Sequence, residues 1–378
     1  MTNKSRHLPT RRDSLKILGV SIAGLAGCTS GNGGSNGDSS ADSSSDGSEP
    51  TTSQGTTAGS SGSDLEDEMT IYTTTDYSPV IEAFENEYDV TVNASVYSGP
   101  QTTTRFRTEE EAGNHNASAV IGSADGLAWP SVRQYLTEVD LPEENRNISL
   151  NDAREEQLSQ QDAVGKSWPI LSILRGTPYS TTNVDTPPIE WGEFTNSEWE
   201  NRLINPPYNM RRIYLTLQLQ GWDDQRVEDY MIALDENMSS YPTPAPANVQ
   251  QIIGGQSDVG VQILTHFLGG PMNDGAPVDV AYPSFTSEHY NAVGVSANAP
   301  SPNAAKAFAK FATTEAGQRP IQEGMGLNPV APNLDHGNSA IQERIDEYDP
   351  TIIPLIPTEQ QVNDSTEYLN EILSIEVG

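Results

Sequence analysis

Three times over residues 69–128 a short apolar run gives way to a polar loop and then to helical spacing. Residues 69–73, with Met69, Ile71 and Tyr72, read as a strand. Ser78 and Pro79 follow as a helix cap and first-turn proline, and Val80, Ile81, Phe84 and Tyr88 share one helical face. Val90, Val92, Ala94 and Val96 alternate with polar residues, which predicts a second strand with one better-buried face. Residues 101–111 are compatible with a helix, 117–121 form a third apolar run, and 122–126 lead into another helical stretch. Strand, loop and helix repeated in this way predict a parallel α/β sheet. Further along, Pro302 opens a helix expected over 303–314, with Ala304, Ala307, Phe308 and Phe311 on its apolar face. Ile352, Ile353, Leu355 and Ile356 predict that part of the C-terminal tail packs.

In a parallel sheet, ligands bind at the carboxyl ends of the strands. Three loops fall there: 73–76, 98–101 and 122–125. Thr74, Thr75, Ser98, Gly99 and Ser123 place hydroxyls and free amides at helix starts, where peptide dipoles favour a negative group. Asp76 and Asp125 point the other way, toward a cation or a hydrogen-bond donor. Helix capping explains any one of these loops as well as ligand contact does; three in register favour a ligand.

Charge changes the picture next. The 378 residues carry 53 acids and 20 bases, a net charge of −33, which argues against nucleic acid because phosphate affinity comes from Lys and Arg. Five bases but only one acid precede Cys28, which leaves 52 acids against 15 bases from there on, a net of −37. Such self-repulsion opposes compaction in dilute buffer and is screened at about 1 M salt, where the Debye length is about 3 Å; the composition therefore predicts a halophilic protein. Cys28 is the sole cysteine, so neither a disulfide framework nor a cysteine-rich zinc site is available. No apolar stretch reaches the roughly 18 residues that a spanning helix needs.

Residues 1–28 read as an export address. Arg11 and Arg12, followed by Asp13, Ser14, Leu15 and Lys16, resemble the twin-arginine signal, with Ser14 where an aromatic or Leu is commoner. A weak apolar run, 17–26, leads to Leu25, Ala26, Gly27 and Cys28, which resemble a lipobox whose cysteine sulfur takes a lipid. Residues 29–64 are rich in Ser, Thr, Gly and Asp and contain no Lys or Arg. They cannot bury enough apolar area to fold, and as a flexible tether they would span about 30–35 Å. Asn93, Asn116, Asn147, Asn237 and Asn363 each head an N-glycosylation pattern.

From residue 65 to 333 the chain resembles the solute-binding lipoproteins of ABC importers, in the two-lobed, type II periplasmic-binding-protein-like group that handles iron(III), thiamine and polyamines, here of haloarchaeal type. The resemblance rests on the loop 71–76, on Tyr97, Ser98 and Gly99, on 119–125, and on Gly165 to Pro169. It continues through Pro187 to Trp191 with Trp199, through 255–261, and through 298–318. It implies two lobes, each a mostly parallel mixed sheet flanked by helices, joined by hinge crossings near 168–175 and 282–295 and closing on a solute. Lobe one would comprise 65–172 plus 283–328, and lobe two 173–282 plus 329–378.

The lobe-two wall is expected to include Trp168, Tyr208 and His266. Trp168 reads equally as a cleft aromatic or as core. Residues 165–167 imitate the end of a phosphate-binding P-loop, but Gln160 stands where its first glycine belongs. Where iron-binding members carry adjacent tyrosines this chain has Thr265, His266 and Phe267, which removes the hard anionic oxygens that iron(III) favours, although carboxylates or Tyr290 could substitute. The sequence thus assigns no metal ligand and no cofactor. The resemblance implies a receptor, not an enzyme, lipid-anchored to the outer face of the cytoplasmic membrane. It would pass a small anion-bearing solute (iron(III) with an anion, thiamine or its phosphate) to a membrane permease and its ATPase. A surface-anchored hydrolase or a passive cell-surface binding protein is the alternative; no nucleophile elbow, zinc-protease motif or body cysteine supports the former.

Overall fold

The computed structural model describes residues 65–377; the export signal, lipobox and tether expected over 1–64 lie outside the described residues. Strand β1 (Glu68–Thr73), helix α1 (Ser78–Tyr88), strand β2 (Thr91–Val96), helix α2 (Gln101–Glu111), strand β3 (Ala119–Ser123) and helix α3 (Ala124–Ala128) follow one another as the alternation predicts. β1 pairs in parallel with both β2 and β3, with Ile71 opposite Ala94 and Tyr72 opposite Val120.

Local physics accounts for the agreement and for two departures. In α1, Val80, Ile81 and Phe84 are buried, and Phe84 stacks on Tyr88 with ring centroids 4.7 Å apart. The helix begins one residue earlier than expected, at Ser78, and the Asp76 carboxylate accepts the Ser78 backbone N–H at 2.9 Å and the Ser78 hydroxyl at 2.5 Å. In β2 only the first half of the apolar alternation is buried, and Val96 is 55% exposed. β2 is the outer strand of the path, with β1 as its neighbour, so its far end has nothing to pack against.

Two long strands extend the sheet and make it mixed. β4 (Trp168–Ser180) and β5 (Phe285–Ser296) run antiparallel to each other, and β5 is also antiparallel to β3. The strand order is β2–β1–β3–β5–β4, continuing to Val259–Gly260, Leu203–Ile204 and Met238–Ser240. Three apolar cores are threaded along it. Trp168, Ile170 and Leu171 at the start of β4 belong to a first core with the β1–β3 region, Phe308 and Phe311. Leu174 belongs to another with Val280 and Tyr282, and Tyr179 packs against a third built around Met210, Ile213 and Trp191. One strand thus joins all three.

The helix Pro302–Ala312 buries Ala304, Phe308 and Phe311 of the face its spacing predicts and leaves the fourth, Ala307, half-buried. The tail packs on more than one core: Ile356 joins the first, Leu369, Leu373 and Val377 the core around Met210, and Ile341 the one around Tyr282. Helix α4 (Pro207–Leu219) begins with proline, whose missing N–H costs nothing in a first turn. It buries Asn209, Met210, Ile213 and Leu217 and leaves Tyr208, Arg211 and Arg212 half-buried at spacings of three and four, on one face.

Candidate functional site

Helix α4 meets β4 through Asn209 and α3 through Arg212, and the meeting point is cationic. Arg175, on β4, is 2% exposed. Its Nε donates to Asn209 Oδ1 at 2.8 Å, and its Nη1 lies 2.8 Å from His289 Nδ1 on β5. Because a guanidinium can only donate, His289 Nδ1 accepts and the imidazole proton resides on Nε2. Arg212 Nη2 donates to Asp125 Oδ2 at 2.7 Å, tying α4 to α3. Arg211 Nη1 donates to Thr366 Oγ1 at 2.9 Å.

A second layer fixes these groups. Asn209 Nδ2 donates to Asn205 Oδ1 at 2.8 Å and to the Gln262 carbonyl at 2.6 Å. Thr286 Oγ1 is 2.7 Å from the Arg175 carbonyl and 2.8 Å from Gln262 Oε1. Gln262 has φ of 52°, a left-handed conformation uncommon for a residue with a side chain, of the kind that clusters where surrounding contacts hold a site in place. Gly176 leaves room beside Arg175: a Cβ there would come within 2.7 Å of Val280 Cγ2. Nearby on β5, Asn291 Nδ2 donates to Thr74 Oγ1 at 3.0 Å and to the Tyr77 hydroxyl at 3.1 Å.

The electrostatics are unbalanced toward positive charge. Burial, and then the neighbouring Arg212, lower the Arg175 pKa to about 9; the same two causes bring Arg211 to about 10. Burial, then His336 and Arg175, push His266 down to about 4; burial, then Arg175, Arg212 and His266, hold His289 well below its usual value. Both imidazoles are therefore neutral near pH 7. Burial raises the Tyr208 pKa, against the pull of Arg175 and Arg212. Arg211 Nε, Arg212 Nη1, His266 Nδ1 and Gln262 Nε2 are buried without a hydrogen-bond partner. Elsewhere Arg105, Arg107, Arg133, Arg146, Arg202, Arg319 and Arg344 pair with carboxylates and Arg154 and Arg226 lie over aromatic rings; here Asp125 contacts Arg212 and acts through space on Arg175 and Arg211. Buried N–H donors left unmade cost about 1–3 kcal/mol each, so the arrangement favours an incoming acceptor.

Three of the expected residues lie in or beside this group: Asp125 and Tyr208 directly, and His266 through the field of Arg175; Thr74 instead accepts from Asn291, two residues along β5 from His289. The others have local roles. Asp76 accepts from Ser78 at the start of α1, Ser123 Oγ accepts the Gly126 N–H at 3.3 Å at the start of α3, and the Thr75 carbonyl accepts the Thr73 hydroxyl at 2.8 Å. Ser98 and Gly99 are exposed at the start of α2. Trp168 is 3% exposed inside the first core, so packing is the role its surroundings describe. Tyr290 is buried with its hydroxyl donated to Glu288, and among the described residues no group of three His, Cys, Asp or Glu side chains is placed to hold a metal. Neither periodicity nor loop chemistry singles out Arg175, Arg211, Arg212, Asn209 or His289. The available signal was scarcity: two adjacent arginines, and one inside an apolar strand, in a chain with so few cations.

A mixed α/β sheet threaded by two long antiparallel strands, with polar side chains converging where they meet helix starts, defines the class of two-lobed solute-binding folds. The family described as bacterial extracellular solute-binding protein matches residues 80–344, and the chain belongs to it. Among solved structures it is similar to iron-bound HitA from Pseudomonas aeruginosa (15% identity, 81% of this chain and 98% of that one, TM-score 0.63). It is also similar to AfuA from Actinobacillus pleuropneumoniae with fructose-6-phosphate bound (17%, 81% and 98%, TM-score 0.62). A third is the spermidine/putrescine ABC transporter protein PotD from Streptococcus pneumoniae (13%, 81% and 98%, TM-score 0.64). At these identities the likeness is one of fold. No curated protein matches the chain.

Proposed function

We propose that this protein is the receptor of an ABC import system. It captures a small anion-bearing solute between two lobes, one around the first apolar core and one around the other two, and delivers it to a membrane permease and its ATPase without chemistry of its own. Lipid on Cys28 holds it to the outer face of the cytoplasmic membrane, the residues 29–64 tether it, and its acidic surface keeps it folded in concentrated salt. The observation that carries the solute class is a group of three arginines with one carboxylate, Asp125, in contact with Arg212 and acting through space on the other two, and with buried N–H groups still unpaired. Arg175 and His289 sit on β4 and β5, the strands that join the cores, so a solute bound there would touch both lobes and the crossing between them. Free polyamines would meet three guanidinium charges and are disfavoured. Bare iron(III) would lack the tyrosine pair, which leaves iron with an accompanying anion, thiamine phosphate and related anions.

Thermal unfolding of the protein in molar salt, screened against iron(III) with citrate or phosphate, thiamine phosphate, spermidine and simple oxyanions, tests this reading. An anionic ligand at 100 times its Kd adds about 2.7 kcal/mol and raises the melting temperature by mass action. A shift with spermidine alone, or turnover of an ester or glycan, would contradict it.

A further inference from the structure

The arginine group has a definite charge count. Arg175, Arg211 and Arg212 contribute three positive charges, His266 and His289 accept or offer hydrogen bonds as neutral rings, and the carboxylate acting on both Arg175 and Arg211 is Asp125. Asp125 is 4% exposed and its Oδ2 sits on Arg212 Nη2, while Arg212 Nη1 and Arg211 Nε stay buried and without a partner. One carboxylate against three guanidiniums leaves an excess of two positive charges in a site largely removed from water, where uncompensated charge is costly. Bidentate guanidinium contacts match the planar or tetrahedral oxygen arrays of carboxylates and phosphates.

Resting on the receptor reading above, we propose that the site is built for a doubly charged anion of the phosphomonoester class, and that Asp125 is its internal competitor, a carboxylate that occupies Arg212 until the solute claims it. A dianion cancels the excess; a monoanion leaves one positive charge unpaired. Asp125 repels the solute in proportion to the solute's charge, so it selects for ligands with enough contacts to displace or share it.

The test is calorimetric titration of the full-length Cys28→Ser protein in 2 M KCl at pH 8 with methyl phosphate, a dianion there because its second pKa is about 6, and with methyl sulfate, a monoanion of nearly the same shape. The expected result is methyl phosphate binding at least tenfold more tightly than methyl sulfate. Asp125→Asn, which keeps the size and a hydrogen-bonding oxygen for Arg212, is expected to tighten methyl phosphate at least tenfold further. Equal affinity for the two esters would overturn the dianion assignment while leaving an anion receptor standing. Asp125→Asn that leaves methyl phosphate unchanged or weakens it would overturn the competitor role. Binding of neither ester, nor of any other anion in the melting screen, would remove the receptor reading together with this one.

Discussion

Arg212→Met in the unliganded protein isolates the contact that ties α4 to α3. The Arg212 and Asp125 side chains are 12% and 5% exposed, so the pair is buried and its loss leaves a carboxylate out of water. Breaking such a pair from one side costs about 3–5 kcal/mol. The charges of Arg175 and Arg211 still act on Asp125 through space, which favours the lower end, about 3 kcal/mol. With an unfolding entropy of about 2.1 cal/mol/K per residue over roughly 310 folded residues, that converts to a fall in melting temperature of about 5 °C. Arg146→Ala is the control. Arg146 pairs with Glu155, but the two side chains are 44% and 41% exposed, and such pairs contribute about 0–1 kcal/mol, below about 2 °C. The double variant Arg212→Met with Asp125→Leu removes both charges and should recover most of the loss, because an apolar replacement of a whole buried pair is close to neutral. Differential scanning calorimetry in 2 M KCl without added oxyanions reads all three. An Arg212→Met melting temperature no lower than that of Arg146→Ala would refute the claim that this pair is a buried structural tie.

Three further outcomes follow from the same account. Burial lowers His266 and His336 each to about 4, below the usual 6.5, so the unfolded chain binds more protons between those values. Stability should fall as pH drops from 6.5 toward 4, by up to about 3 kcal/mol per histidine at 1.36 kcal/mol per pKa unit; urea unfolding against pH measures this, and a flat profile from 6.5 to 5, above the carboxylate range, would count against it. Cys28→Ser should abolish incorporation of radiolabelled lipid and move the protein from the membrane fraction to the medium, whereas continued membrane retention would argue for another anchor. Raising KCl from 0.1 to 2 M should raise the melting temperature, since −37 charges from Cys28 onward are screened; an unchanged value would contradict the salt reading.

The fold is legible where residues pack against near neighbours in sequence. Val80, Ile81 and Phe84 specify α1, and Ala304, Phe308 and Phe311 specify Pro302–Ala312, because a helix reveals its buried face within two turns. Legibility fades at β4. Trp168, Ile170 and Leu171 are all buried, since a strand covered on both faces loses its alternation, and an aromatic there reads equally as core or as cleft. Ala94 and Val96 mislead in the opposite sense: their pattern is that of a covered strand, but their place at the sheet edge leaves them exposed.

The candidate site is less legible still, because its bonds join distant positions. Arg175 meets Asn209 from 34 residues away and His289 from 114, and Asp125 meets Arg212 across 87. No local spacing encodes such contacts. Loop chemistry selects Asp125, and the family resemblance Tyr208, both of which stand beside the arginines; loop chemistry also selects Asp76, Ser98 and Ser123, because helix caps and ligand loops use the same small polar residues. The overwhelming acidity directs attention to the surface, while the informative charges are the few cations that the acids leave unpaired.

Titration of wild-type protein and of Arg175→Met with the anion giving the largest thermal shift decides whether the buried arginines bind the solute. Charge-assisted hydrogen bonds contribute about 1.5–3 kcal/mol each, so losing two of them should weaken binding by at least 100-fold. One-to-one binding to the wild type and its near loss in Arg175→Met, with an unchanged far-ultraviolet spectrum, are the expected results. Undiminished binding to Arg175→Met would contradict a binding role for Arg175.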